Sequence, residues 1–441
     1  MPKYFSKLLT ILFLFNVLIN SSIADVSIHV NSGMDKPIPI AIVDFSGSKD
    51  SKNNVNTVIT NDLKYSGKFD LLPQRKMPSS PDSAKKIDWN LWDNTGVEYL
   101  LVGQIIKKAN NTFTVRFELA SPLGKKTILG KEYNNIQASQ FRKLAHRISD
   151  ELYQTLTGTR GYFSTKLAYI DVTNPYSISR SIYKLVISDY DGASPHTLLS
   201  QKSNPLASPV WSTDGKQIAY VSYNGGRMAI YAVDISSGKR RLISNTPGIN
   251  SSPEFVPNKN EIIAALSPKD STQTNLYTID LTTRKRIAKL TGVGANTEPA
   301  FSPNGQKIAF TSNKSGSPQI YIMDNNGRHV HRLTKSGKQN YDPSFMPNGR
   351  SIIYMSVSDY DGHSRIAILD LTSLNSTYLT NGPIDKSPSV SPNGQMIVYT
   401  SQSKNGQNKL KMVTSNGQYT ITLPVNNPDG IIKTPAWSPF L

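Results

Sequence analysis

Glu298-Pro299-Ala300-Phe301-Ser302-Pro303-Asn304-Gly305 is the stretch that decides the fold, because it recurs. Other versions begin at Ser208, Ser252, Asp342, Ser387 and Thr434, and the last of them reads Thr434-Pro435-Ala436-Trp437-Ser438-Pro439-Phe440-Leu441. The leading prolines stand at 209, 253, 299, 343, 388 and 435, so successive copies lie 44, 46, 44, 45 and 47 residues apart. A steady period near 45 residues is what propeller blades produce. In the second copy Val256-Pro257-Asn258-Lys259-Asn260 replaces the Ser-Pro-Asn-Gly ending, which leaves that local turn open and the fold intact.

Each copy is followed by the same internal order. After the Asn-Gly or Asp-Gly turn comes an apolar run, such as 217–222, 307–312 or 396–401. A second run follows at 230–234, 276–280, 320–324 or 366–370, and then a polar turn and a more charged run such as 239–243 or 284–290. Short runs separated by such turns predict strands. Their near-continuous apolarity predicts sheets buried on both faces, and the charge suits an outer edge. The unit at 166–200 has three runs with no phrase before it, whereas the phrase at 434–441 has nothing after it. Six triplets and six first strands therefore predict an all-β six-bladed propeller closed by the C-terminal strand.

The first half predicts a small α/β N-terminal domain. Strands are expected at 38–44, 68–72 and 98–106, with a hairpin at 112–120 and 126–133. Helices are expected at 54–66, stopped by Gly67, at 88–93, and at 139–157, where Phe141, Leu144, Ala145, Ile148, Leu152 and Leu156 recur at helical spacing. The domains are then 25–160 and 161–441, with Gly158–Gly161 as the linker.

Lys3 and Lys7, an apolar run at 8–19, and Ser22 and Ala24 around Ile23 make 1–24 a secretory signal peptide, cleaved between Ala24 and Asp25. The run covers 12 positions, short of the roughly 20 that a membrane-spanning helix needs. The mature chain is expected to be soluble outside the cytoplasm, with no membrane insertion and no lipid, since no cysteine lies near the cleavage site. Absence of cysteine throughout excludes disulfides, thiolate metal sites and cysteine nucleophiles. Lys and Arg exceed Asp and Glu by 49 to 31, a net +18 that falls to +16 without the leader. That balance suits an anionic partner or reflects a lysine- and asparagine-rich codon bias, and the compartment argues against nucleic acid.

No HExxH, GxSxG, Walker A or GxGxxG motif follows the required context, so no catalytic residue is assigned. His329 and His331 alternate on one face of an outer strand and read as a solvated pair, while His146 falls on the polar face of its helix. Asp-Tyr-Asp-Gly occurs at 189–192 and 359–362, at different places in the repeat, and reads as turn chemistry. No metal or cofactor is assigned. Trp89, Trp92, Trp211 and Trp437 read as core anchors. The polar residues just before the prolines should crowd one mouth of the central channel: Asn296, Thr297 and Glu298; Gln339, Asn340, Tyr341 and Asp342; Asp385, Lys386 and Ser387.

The leader, Asn61-Asp62-Leu63-Lys64-Tyr65-Ser66-Gly67-Lys68-Phe69, Gly96-Val97-Glu98-Tyr99-Leu100 and the ending Pro435-Ala436-Trp437-Ser438-Pro439-Phe440-Leu441 together resemble the TolB family of the bacterial Tol-Pal system. The resemblance covers essentially the whole mature chain. It implies a monomeric, non-enzymatic periplasmic adaptor that supports outer-membrane integrity and constriction during cell division. The implied partners are the lipoprotein Pal at the mouth, TolA at the N-terminal segment, and other outer-membrane proteins. That segment comprises Asp25, Val26, Ser27, Ile28, His29 and Val30 and continues to about Gly33; its alternation is what strand addition to a partner sheet requires. A rival class is a propeller hydrolase. A peptidase would need a further domain beyond Leu441, and a sialidase-like site would need channel arginines where this mouth is mostly neutral or acidic. Peptidoglycan or carbohydrate binding by the propeller stays open.

Overall fold

The structure, a computed structural model, describes residues 28–30, 36–47, 54–177, 179–403, 405–425, 427 and 430–441. The expected leader at 1–24, its cleavage between Ala24 and Asp25, and the partner residues Asp25, Val26 and Ser27 lie outside the described residues.

The first domain is built on a five-stranded sheet in the order Phe69–Leu71, Ile38–Ile42, Tyr99–Lys107, Phe113–Ser121, Lys126–Ile136. Ile38–Ile42 runs parallel to both of its neighbours, and the later pairings are antiparallel. Strand alternation divides the side chains between two layers. Ile40 and Ile42 pack with Val58, Ile59 and Leu63 of the helix Val55–Tyr65 and with Ile148 and Leu152 of the helix Phe141–Thr157. Ala41, Val43, Leu100 and Val102 pack on the other side against Ile87 and Trp92. The caps follow the sequence: Asn54 accepts from the Asn56 amide, Gly67 ends the first helix at φ +66°, and Gly158 ends the last at φ +73°.

The second domain is strand-rich. Four four-stranded sheets stand alone, and a fifth sheet of nine strands contains two further four-strand sets joined by one parallel pair, Ser364 with Ile384. Gly430–Trp437 pairs antiparallel with Lys166–Thr173 and supplies the strand that the 166–200 unit lacks. It lies beside both Leu206–Trp211 and Ile384–Val390, the first strands of two other sets. Second strands are buried on both faces because alternate residues serve different neighbours. Ile218 and Tyr220 pack with Ile170 and Leu185, while Ala219 and Val221 pack with Phe255 and Ile262.

One local question left open is answered and one expectation is corrected. The turn at 256–260 is kept, with the Lys259 amide still bonded to the Val256 carbonyl, but its left-handed residue is Asn258 at φ +59°, whereas its counterparts use Gly305, Gly349 and Gly394 one position later. Asparagine adopts that conformation at less cost than lysine does. His329 is not on a strand face: it sits in a turn at φ +54° with Nδ1 on Asp324, and only His331 enters the two-residue strand His331–Arg332.

One hydrophobic cluster runs through both domains. Tyr153, Tyr162, Phe163, Tyr190 and Trp437 meet mostly edge to face, with Tyr162 and Trp437 centroids 5.7 Å apart. Among the described residues no helix is long and apolar enough to cross a membrane.

Candidate functional site

Each recurring phrase forms a bulge in its first strand. The pairing register shifts across Ala207/Val210, Ser251/Glu254, Thr297/Ala300, Tyr341/Ser344, Lys386/Ser389 and Lys433/Ala436. The residue before each proline is left-handed: Ser208, Ser252, Glu298, Asp342, Ser387 and Thr434 all have φ between 48° and 53°. This conformation costs a non-glycine residue roughly 1 kcal/mol or more, and a bulge re-aims the side chain it carries. All six residues, each with its proline, line a single cavity of about 200 Å³.

The cavity wall is acidic on one side. Glu298 Oε2 accepts from Thr311 Oγ1 at 2.6 Å and from the Asp342 amide at 2.8 Å. Ser387 Oγ donates to Asp342 Oδ2 at 3.4 Å. Burial, with the Glu298 carboxylate beside it, pushes the Asp342 carboxyl well above the ordinary range, and burial alone pushes Glu254 up to about 8.

The residues expected at the mouth divide into two kinds. Thr297, Glu298, Gln339, Tyr341, Asp342 and Ser387 are half-buried and Lys386 is exposed, with the Tyr341 hydroxyl bonded to Gln339 Oε1. Asn296, Asn340 and Asp385 are buried and hold the loops before their strands. Asn296 Nδ2 donates to the Thr274 and Gly294 carbonyls, Asn340 Nδ2 to Gln319 Oε1 and the Ser336 carbonyl, and Asp385 Oδ2 accepts from the Gly382 amide. Their spacing in the repeat marks a structural staple as readily as a docking group, so sequence alone does not separate the two kinds.

The N-terminal segment reappears as an added strand. Ile28–Val30 pairs antiparallel with the outer strand Tyr419–Thr422, Ile28 opposite Ile421 and Val30 opposite Tyr419. It is therefore an edge strand of the second domain and not of its own. Tyr419 also joins the two domains, since its hydroxyl donates to the Lys64 carbonyl at 3.0 Å.

Beside this edge lies a buried ion network that the sequence reading missed. His146 is almost fully buried, not on a solvated face, with Nδ1 2.8 Å from Asp62 Oδ2. Tyr190 Oη donates to Asp62 Oδ1 at 2.7 Å, Arg142 Nε donates to Asp189 Oδ2 at 2.6 Å, Arg142 also pairs with Asp191, and Lys166 with Asp189. The Asp189–Gly192 turn is thus a turn, as expected, and also the second domain's half of the joint. Burial opposes the His146 charge, but Asp62, Asp189 and Asp191 outweigh it and hold its pKa up to about 10. Asp62, His146 and Asp191 bring ligand atoms within 4.8 Å of one another, a spacing a metal ion accepts. Arg142 already neutralises Asp191, and an imidazolium neutralises Asp62, so the cluster reads as an ion network.

Residues 26–126 match the family model of the TolB amino-terminal domain, and residues 153–441 match that of the TolB beta propeller domain. The Tol-Pal system protein TolB of Francisella tularensis (strain SCHU S4) is 36% identical over 440 residues, 98% of each chain. That of Hamiltonella defensa is 35% identical over the full length of both. The crystal structure of TolB from Acinetobacter baumannii superposes with a TM-score of 0.84 at 32% identity, covering 94% of this chain and 100% of that one. With both halves matched in order and relatives aligned nearly end to end, the chain belongs to the TolB family of the bacterial Tol-Pal system.

Proposed function

We propose that this chain is a non-catalytic periplasmic adaptor of the Tol-Pal complex, supporting outer-membrane integrity and constriction during division. Its leader ends at Ala24, its α/β domain runs to about Arg160, and its six four-strand sets form a six-bladed ring closed by Gly430–Trp437. Pal binds at the mouth, and TolA binds the segment from Asp25 to about Gly33. The observation that carries the mouth assignment is the convergence of six left-handed, pre-proline residues on one cavity, because six independently strained positions are hard to explain by packing alone. With Asn296, Asn340 and Asp385 engaged in their loops, contact falls to Thr297, Glu298, Gln339, Tyr341, Asp342 and Lys386.

For TolA, the support is the short docked strand. Three residue pairs gain only a few kcal/mol, comparable with the entropy of ordering them, so a competing sheet can take the segment.

Calorimetric titration of Pal into Glu298→Lys and Asp342→Lys, with Glu298→Gln as the milder variant, tests the mouth. Loss of about 2 to 5 kcal/mol of binding with an unchanged unfolding transition is expected. Wild-type affinity in all three would move Pal to another surface.

A further inference from the structure

Apart from Lys386, the excess positive charge plays no part in the mouth or the docked strand, and some of it is gathered on neighbouring outer strands. Three consecutive sets, whose first strands are Leu206–Trp211, Asn250–Phe255 and Asn296–Phe301, end in cationic outer strands. Lys239 and Arg240 open the first, and Arg284, Lys285, Arg286 and Lys289 border the second. Arg328 and Arg332 bracket the third. All eight are exposed, and no acidic residue lies within 239–244, 284–290 or 328–335. Aliphatic side chains stand out between them: Ile287 is 55% exposed and Val330 38%.

The aspartates of the preceding turns are already engaged. Asp234 is held by Ser236 and Ser237, Asp280 by Thr282 and Thr283, and Asp324 by Lys307 and His329. Asp234 and Asp280 keep their charge under these neutral donors and Asp324 is paired with Lys307, so the three aspartates offset the eight strand cations only in part. Charge on a free edge ordinarily guards against edge-to-edge pairing. That need is equal at the outer strand Ser376–Tyr378, which has no charge at all, and either sign would meet it. Among the described residues, the α/β domain bears on other sets, through Asp189–Gly192, Asn393 and Tyr419, and leaves this flank open.

We propose that this flank docks on an anionic phospholipid surface, independently of the propeller mouth. A headgroup layer uses both features at once, the cations against its negative potential and the protruding Ile287 and Val330 in its interface. An anionic glycan would use the cations and leave the exposed aliphatic residues without a role, and two aliphatic side chains on separate outer strands offer a folded acidic protein little of the apolar core that such an interface needs.

The test is co-sedimentation of the secreted chain with phosphatidylglycerol/phosphatidylethanolamine vesicles and with pure phosphatidylcholine vesicles at 0.1 M salt. Binding is expected to the first only and should fall as salt rises. Replacing Lys239, Lys285, Lys289 and Arg328 together by Gln should weaken partition by about a hundredfold or more. Replacing Lys76, Lys107, Lys108 and Lys126 of the α/β domain by Gln removes the same charge and should change it by less than about threefold. Ile287→Ser should weaken partition without changing its salt dependence. All these positions are exposed, so unfolding midpoints should stay at the wild-type value. Absence of binding to the anionic vesicles, or equal loss in the two quadruple variants, would overturn the proposal. An unaffected Ile287→Ser would overturn it in favour of a contact with any polyanion.

Discussion

His146 shows at the scale of one residue how the two domains are held together. Folding raises its pKa from an ordinary value near 6.5 to about 10. A group raised in this way adds stability that is fully present below pH 6.5 and is lost as pH climbs through 10. Asp62 beside it is raised by burial and works in the same direction. Tyr190, Arg142, Lys166, Asp189 and Asp191 complete the surroundings. Urea unfolding should therefore show stability falling between pH 7 and pH 10 by up to about 1.4 kcal/mol per unit from this group. His146→Gln should be less stable at pH 7 and should show a shallower decline. Parallel curves for the two proteins would refute the assignment. Nothing in the periodicity of 139–157 points to this network. An amphipathic pattern reports one buried stripe, whereas this helix is covered on a second side by the Asp189–Gly192 turn, and that contact spans more than forty residues.

Among the elements, the first strands were the most legible, because a proline phrase repeated six times fixes their number; the bulge that each phrase forms was not read from it. The pairing of Gly430–Trp437 with Lys166–Thr173 followed from a unit lacking its first strand and a phrase lacking its unit. Trp437 anchors it: the ring is buried against Tyr162, and Nε1 donates to Thr165 Oγ1 at 2.8 Å. Trp437→Ala should cost about 3 to 5 kcal/mol, and deletion of 434–441 should abolish cooperative unfolding of the propeller. A truncated protein that melts with the wild type would mean that the ring does not depend on this strand. At 256–260 the altered phrase still turns because Asn258 accepts the left-handed conformation. Asn258→Ala should cost about 1 kcal/mol and Asn258→Gly less, as read from chemical denaturation. The short strand Ile28–Val30 was legible as a strand but not in its pairing. Its partner lies nearly four hundred residues later, and three residues carry too little pattern to fix a register.

For the whole molecule, the proposed function requires two separable contacts on one chain, a propeller mouth for Pal and a releasable strand for TolA. The strand's edge and the domain joint share Tyr419, so the segment is docked where the domains meet, while the mouth is formed only by the second domain's first strands. Removing one should leave the other in place. The most direct measurement is titration of TolA and of Pal against the secreted protein lacking 25–31. The account predicts no detectable TolA binding, an intact propeller unfolding transition, and Pal affinity within about tenfold of wild type, or 1.4 kcal/mol. Capture of TolA at wild-type affinity by the shortened protein would contradict it and place the TolA surface in the folded body of the molecule.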